Sequence, residues 1–220
     1  MKILIIAPHA DDEVLGVGGS IAKYIDQGHQ VFVCIVSRGY PPLIDENTVK
    51  TVLKEAEESR KRLGIEEIFF LDFPAVGLEH VQRSEMNEKI HGVIDQIEPE
   101  RVFLPHFGDL QKDHKIVTEA SMVALRPKYR HKVKSIYAYE TVSETEWSIP
   151  NAKNAFIPNV YVDISPYMDK KIEALTCYQS QLSEFPGARS IENIKALAKF
   201  RGATVNVEAA ESFAIVRMIE

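Results

Sequence analysis

Apolar runs and amphipathic stretches alternate along the chain. The first run, residues 2–7, is continuous and rich in β-branched residues, which predicts a strand buried on both faces. A helix is predicted over residues 18–27, where apolar side chains recur at helical spacing, and Gly28 follows at the position of a left-handed cap. The chain therefore begins with a strand, a turn and a helix.

The same alternation continues to residue 199. Further strands are predicted at residues 31–36, 68–71, 101–105, 135–140 and 160–164. Further helices are predicted at residues 49–63, 86–97, 113–125, 167–181 and 191–199. The stretch 141–158 has no regular pattern, and we expect it to form a loop over the functional site.

This order of elements predicts the fold class. Strands separated by helices of this length need right-handed crossovers, which produce a mostly parallel sheet covered by helices. We therefore expect an α/β, Rossmann-like fold with three layers and helices on both faces of the sheet. The chain has no internal repeat, low-complexity tract or linker, and its length suits one large core, so residues 1–220 are interpreted as one domain.

The composition of the chain limits which partners and which cellular location are expected. With 26 basic and 32 acidic residues the net charge is -6, which disfavours nucleic acid as a partner. Cys34 and Cys177 lie in apolar patterns without metal-ligand spacing, so reduced thiols and a cytoplasmic location are expected. No segment is long and apolar enough to cross a bilayer, so no membrane association is expected.

Polar side chains cluster after the first and the fourth predicted strands. Residues 8–13 read Pro-His-Ala-Asp-Asp-Glu, and residues 106–114 contain two histidines and two aspartates. Ligands of open α/β sheets bind beyond the carboxyl ends of the strands, where the strand order reverses. If the order is 3-2-1-4-5, the first and fourth strands are neighbours and these two loops face each other.

Mixed imidazole and carboxylate ligands suit a catalytic zinc, which keeps three protein ligands and an open position. We predict that His9, Asp12 and His114 are these ligands. Zinc lowers the pKa of its water towards about 7, and a free carboxylate can then take the proton, a role we assign to Asp11. Asp113 is predicted to cap the helix that follows and to orient a neighbouring imidazole.

These two segments resemble those of the LmbE-like or PIG-L deacetylases. The family motif Pro-His-Pro-Asp-Asp-Glu is similar to residues 8–13, with Ala10 replacing the second proline, and its Asp-His pair matches residues 113–114. Residues 197–202 and 208–213 also look like the C-terminal pattern of the family. The resemblance implies an LmbE-like fold, zinc held by the three predicted ligands, and Asp11 as general base. It also implies removal of an N-acetyl group from an amino sugar or a related small molecule, often by an oligomeric enzyme.

One position departs from the family pattern. Many members have a histidine three residues before the ligand histidine, and that position is Gln111 here. Either His106 supplies the missing imidazole or Gln111 donates a hydrogen bond to the oxyanion. Arg38, Trp147 and Asn159 are further candidates for substrate contacts, alongside Gln111.

A second class of function shares part of this pattern. A phosphoacceptor signalling domain also has an acidic pair after its first strand and an aspartate after its third, here Asp11, Asp12 and Asp72, and it binds magnesium through oxygens. Such a site explains neither His9 nor His114. The other histidines lie in polar or helical contexts and are expected at the surface: His29, His80, His91 and His131.

Overall fold

The structure, a computed structural model, describes residues 1–129 and 132–220. Over these residues the strands form one sheet in the order β3-β2-β1-β4-β5-β7-β6. The strands are β1 (Lys2–Ala7), β2 (Gln30–Arg38), β3 (Glu67–Pro74), β4 (Arg101–Pro105), β5 (Ser135–Tyr139), β6 (Val160–Asp163) and β7 (Ala210–Met218). Strands β1 to β5 pair in parallel in the predicted order, and β7 runs antiparallel to both β5 and β6.

Helices cover both faces of this sheet, as predicted. They are α1 (Asp12–Asp26), α2 (Glu46–Leu63), α3 (Arg83–Ile97), α4 (Lys112–Ala124), α5 (Met168–Leu175) and α6 (Ile191–Thr204). Alternate residues of β1 point to opposite faces, so Ile3 and Ile5 pack with α1, α2, α5 and α6, whereas Leu4 and Ile6 pack with α3 and α4. Both faces of β1 are therefore buried, which explains its unbroken apolar run.

Several helix boundaries differ from the sequence prediction, and the two largest differences are at the start of α1 and the end of α5. Helix α1 begins at Asp12, six residues before the predicted start, because the acidic residues after β1 form its first turn. Carboxylates in a first turn are favoured by the positive end of the helix dipole. Helix α5 ends at Leu175 and not at residue 181, and an irregular segment, residues 176–190, follows it. This segment reaches the functional site.

Strand β7 was not predicted. Its buried half carries Glu211 and Ser212, two polar residues that conceal the apolar pattern of a strand. Both are satisfied by distant partners: Glu211 accepts hydrogen bonds from the backbone N–H groups of Gly19 and Ser20, and Ser212 donates to Glu140. Only tertiary contacts make these polar residues compatible with the sheet interior.

None of the described helices combines the length and the apolar character that crossing a membrane requires. Cys34 is buried, Cys177 is partly buried, and both are free thiols.

Candidate metal centre and active site

The carboxyl ends of two neighbouring strands create the site. Strand β1 pairs in parallel with β4, and Ile5 lies opposite Phe103. The loop after β1, residues 8–11, and the loop after β4, residues 106–111, therefore start at the same edge of the sheet. The predicted strand order is confirmed, and with it the meeting of the two polar segments.

His9, Asp12 and His114 come together in the arrangement that a metal site needs. One potential ligand atom from each residue lies within 4.8 Å of the others. Asp12 Oδ1 and His114 Nε2 are buried, and neither has a hydrogen-bond partner among the described residues. Buried polar atoms are normally paired, because leaving them unsatisfied costs free energy. A metal ion would satisfy both atoms, so the donor set fits one.

Each imidazole of this cluster is oriented by an aspartate. The His114 Nδ1 atom lies 2.8 Å from Asp109 Oδ2, which directs Nε2 to the cluster. The His9 Nε2 atom lies 3.2 Å from Asp113 Oδ2, which leaves Nδ1 facing Asp12 at 3.2 Å. Carboxylates hydrogen-bonded to ligand histidines select the tautomer and raise the basicity of the ligand atom.

Backbone and side-chain donors hold both orienting aspartates. Asp109 accepts a hydrogen bond from the Thr145 hydroxyl at 2.6 Å, and Asp113 accepts one from the backbone N–H of Val76 at 2.6 Å. Asp113 was predicted to cap α4, but this prediction is wrong: Gln111 precedes the helix, and the Asp113 carboxylate binds a different loop and His9. Its expected contact with a neighbouring imidazole is present.

The charges of the cluster favour a cation at its centre. Burial lowers the pKa of His114, but the charge of Asp12 and the hydrogen bond to Asp109 outweigh it and raise this pKa to about 10. Burial also lowers the pKa of His9, but the hydrogen bonds to Asp113 and Asp12 outweigh burial and raise this pKa to about 9. Burial raises the pKa of Asp12, yet the two imidazoles hold it well below its usual range.

Asp11 lies beside the cluster and is not one of its members. It precedes α1 with a φ of 119°, a conformation that is strained for a residue with a side chain. Its buried carboxylate accepts a hydrogen bond from Arg189 Nη1 at 2.6 Å. Burial and the neighbouring charge of Asp12 outweigh Arg189 and raise the pKa of Asp11 to about 8. The strain and the raised pKa are typical of a functional carboxylate.

Three residues near the site were given no role in the sequence analysis. Asp109 orients His114, and its place in the polar loop after β4 was the available signal. Arg189 binds Asp11 from 178 positions away. The Tyr178 hydroxyl donates to Glu13 at 2.6 Å; burial raises the pKa of Glu13 to about 7 although this hydrogen bond lowers it. No local sequence pattern connects the last two residues with residues 8–13.

The two candidates for the missing imidazole role occupy different surroundings. His106 Nε2 lies 2.9 Å from the carbonyl oxygen of Asn154, and its ring packs edge-on against Phe156. These contacts turn His106 towards the loop 141–158. Gln111 lines the cavity beside His9, and its buried Oε1 atom has no hydrogen-bond partner among the described residues.

The predicted substrate residues do not all line the cavity beside His9. Arg38 lines the same cavity as Gln111 and lies 3.3 Å from Asp72. Trp147 is 73% exposed in the loop 141–158 and does not line that cavity. The Asn159 side-chain oxygen accepts a hydrogen bond from the backbone N–H of Ile215, which holds this side chain against β7.

The histidines expected at the surface lie outside the cluster. His80 is exposed, and His29 and His91 are half-buried. His131 lies outside the described residues. Asp72, the third acidic residue of the alternative magnesium site, is absent from the described metal-binding cluster and faces Arg38.

A family profile described as "PIG-L: GlcNAc-PI de-N-acetylase" matches residues 4–125 of this chain. This segment is more than half of the chain and contains all three residues of the cluster. The chain belongs to the PIG-L family. The LmbE-like resemblance noted in the sequence is thereby confirmed.

Curated relatives of this PIG-L chain carry deacetylase names. A "Probable N-acetyl-alpha-D-glucosaminyl L-malate deacetylase 2" of Bacillus anthracis is 26% identical over 193 residues, covering 82% of this chain and 81% of that protein. A "Diacetylchitobiose deacetylase" of Thermococcus kodakarensis is 27% identical over 205 residues, covering 83% of this chain and 71% of that protein.

Solved structures confirm the α/β fold. The conserved protein TT1542 from Thermus thermophilus is 26% identical with a TM-score of 0.81, covering 99% of this chain and 96% of that one. The 4-carboxy-2-hydroxymuconate hydratase GalB from Pseudomonas putida is 21% identical with a TM-score of 0.79, covering 100% of this chain and 98% of that one. Because a hydratase shares this fold, the fold alone does not determine the reaction.

Proposed function

We propose that this PIG-L protein is a zinc-dependent hydrolase that removes an N-acetyl group from an amino sugar or a related small molecule. The observation that carries the proposal is the pairing of a three-residue candidate metal site with a second buried carboxylate, Asp11, that lies beside it and is not one of its members. Metal-assisted hydrolysis needs both parts: a site that holds the ion and a base that accepts a proton. The deacetylase names of the relatives support the same reaction.

His9 Nδ1, Asp12 Oδ1 and His114 Nε2 are the atoms we assign to the metal. Two imidazoles and one carboxylate suit zinc, and this number of protein ligands leaves the open position of a catalytic site. A zinc ion held there would supply Lewis-acid activation of water and of the amide carbonyl. Asp109 and Asp113 orient the two ligand imidazoles through the hydrogen bonds described above.

Asp11 accepts the proton of the attacking water. Its pKa is raised to about 8, so its protonated form is accessible near neutral pH, and the same carboxyl group can return the proton to the leaving amine nitrogen. Arg189 holds the carboxylate in place at 2.6 Å. This route requires no proton from His106, whose imidazole contacts the loop 141–158.

Gln111 is assigned to the developing oxyanion. It lines the cavity next to His9, and its side-chain amide can donate a neutral hydrogen bond where many family members have histidine. His106 remains the alternative donor, and the variant His106→Ala separates the two assignments. Loss of turnover in His106→Ala, with zinc retained, would assign the proton transfer or the oxyanion contact to the imidazole.

A screen for acetate release tests the proposed function. The zinc-loaded protein is incubated with N-acetylated monosaccharides, disaccharides and nucleotide sugars, and acetate and free amine are measured together with zinc content. We expect equal amounts of both products, reversible loss of turnover after chelation, and turnover about a hundred- to ten-thousand-fold lower in Asp11→Asn. Turnover that persists after verified removal of metal would contradict the proposal, as would a protein that retains no zinc.

A further inference from the structure

A cavity of about 220 Å³ opens directly beside the candidate metal centre. Its polar lining includes His9, Asp11, Gln111 and Arg189. Its lining also includes aliphatic side chains from β2, the loop before α2, helix α2 and the loop after β3. We call these side chains the aliphatic wall; it consists of Ile35, Ile44, Val49, Val52, Leu53 and Val76.

Helix α2 is divided between the core and this cavity. In its C-terminal half, Ala56 and Leu63 are 0% and 3% exposed and pack into the core. In its N-terminal half, Val49, Val52 and Leu53 continue the apolar stripe at helical spacing, but they are only half-buried and line the cavity. Val52 also packs against the core, so Val49 and Leu53 are the residues that extend the apolar stripe past the part of α2 covered by the fold.

The loop after β3 contributes Val76 to the aliphatic wall. It has a φ of 59°, which is a genuine outlier for a β-branched residue, and its side chain is 60% exposed. The hydrogen bond from its backbone N–H to Asp113 holds it in this conformation. A strained residue that keeps an apolar side chain in solvent next to a reacting centre indicates a constraint from function.

Apart from Gln111, whose Oε1 atom has no hydrogen-bond partner among the described residues, most polar side chains near the wall already have partners. The hydroxyl groups of Thr48 and Ser37 donate to Asp45 and to the carbonyl oxygen of Pro8. Arg38 faces Asp72, and Arg189 binds Asp11. The wall therefore offers apolar contact, whereas a sugar ring would need donors and acceptors for its hydroxyl groups.

We propose that the aliphatic wall binds an apolar group attached close to the scissile amide. The inference rests on the proposed function for the position of that amide. A cavity of this volume has room for about seven groups the size of a water molecule, which exceeds the methyl of an acetyl group. The apolar group has two sources: an N-acyl chain longer than acetyl, or an apolar substituent on the sugar.

Two substrate series distinguish these sources in the unmodified zinc-loaded protein. One series is N-acylated glucosamine with acyl chains of two to eight carbons, and the other is N-acetylglucosamine carrying methyl to hexyl glycosides. Burying one methylene is worth about 0.8 kcal/mol, so kcat/KM should rise about fourfold per carbon in one series until the cavity is full. A rise among the acyl chains assigns the wall to the acyl group, and a rise among the glycosides assigns it to the sugar substituent. Hydrolysis of the acetyl compound with no rise in either series would overturn the inference.

A cavity-filling variant connects this preference to the wall. Val49→Phe narrows the cavity, and Lys50→Phe is the matched control because Lys50 is the neighbouring residue on the same helix and does not line the cavity. The kcat/KM ratio of the preferred long substrate to its short counterpart should fall at least about tenfold in Val49→Phe and stay constant in Lys50→Phe. An unchanged ratio in correctly folded Val49→Phe protein would exclude the wall as the binding surface.

Calorimetric titration of the chelated protein provides a readout that needs no turnover. The preferred long compound should bind more tightly than its short counterpart, with the same dependence on chain length. Tighter binding of longer compounds without hydrolysis of any amide would contradict the proposed function and support the aliphatic wall. Hydrolysis of the acetyl compound together with binding that is independent of chain length would support the proposed function and overturn the role of the aliphatic wall.

Discussion

The two loops that form the site divide its chemistry between them. The loop after β1 and the start of α1 supply an imidazole and a carboxylate of the candidate metal site, together with the neighbouring carboxylate of Asp11. The loop after β4 and the start of α4 supply the second imidazole of that site and both orienting carboxylates, Asp109 and Asp113. The first segment therefore contributes most of the groups proposed to bind metal or to react, and the second contributes the groups that orient the imidazoles.

The two orienting contacts also differ in strength. His114 is fully buried and lies 2.8 Å from Asp109, whereas the side chain of His9 is 21% exposed and lies 3.2 Å from Asp113. A shorter, fully buried hydrogen bond to a carboxylate is the stronger one. The comparison predicts that a change at Asp11 affects the reaction itself, whereas changes at Asp109 and Asp113 affect how firmly the metal is held.

The largest expected effect separates the adjacent carboxylates Asp11 and Asp12. Asp11→Asn removes the base but keeps its size, so turnover should fall about a hundred- to ten-thousand-fold while zinc content stays unchanged. Asp12→Ala deletes a ligand, so zinc affinity should fall and excess zinc should restore part of the activity. Steady-state kinetics and zinc titration of both variants check this. If Asp11→Asn loses the metal and Asp12→Ala keeps it, the two roles are reversed.

A smaller effect is expected for the orienting carboxylates. Asp109→Asn should weaken zinc affinity about ten- to a hundredfold, because it removes the carboxylate that orients His114. Asp113→Asn should cost less, since its hydrogen bond to His9 is longer and more exposed. Competition with a chromophoric chelator measures both affinities, and thermal melts verify folding. An equal or larger loss in Asp113→Asn would refute the proposed difference in strength between the two orienting contacts.

The smallest effect concerns Arg189, the counter-charge of the base. Arg189 lowers the pKa of Asp11, so Arg189→Met should raise that pKa and leave more of the base protonated at a given pH. The acidic limb of the pH profile of kcat/KM should therefore move up by about one pH unit, and Arg189→Lys should restore part of the shift. A uniform loss of rate at every pH would instead assign Arg189 to substrate binding.

Local sequence patterns were enough to predict much of the fold and the centre of the candidate site. The order of β1 to β5 follows from alternating strands and helices with right-handed crossovers, and that order brings residues 8–13 to residues 106–114. His9, Asp12 and His114 were predicted as ligands because they lie in the polar segments that follow two strands, and the apolar pattern identifies both strands. The start of α1 was misplaced because its first turn is acidic, and the apolar periodicity appears only later in the helix.

Residues joined only by tertiary contacts could not be predicted in this way. Strand β7 is defined by its antiparallel pairing with β5 and β6 and by distant partners of Glu211. The irregular segment after α5 brings Arg189 to Asp11, and nothing near either residue indicates the other. Strand order and the candidate ligands could be predicted from the sequence, because the spacing of apolar residues and the chemistry of each side chain are local properties. The orientation of each imidazole, the pKa of the base and the shape of the aliphatic wall were decided by the tertiary structure, because each depends on distances between groups that are far apart along the chain.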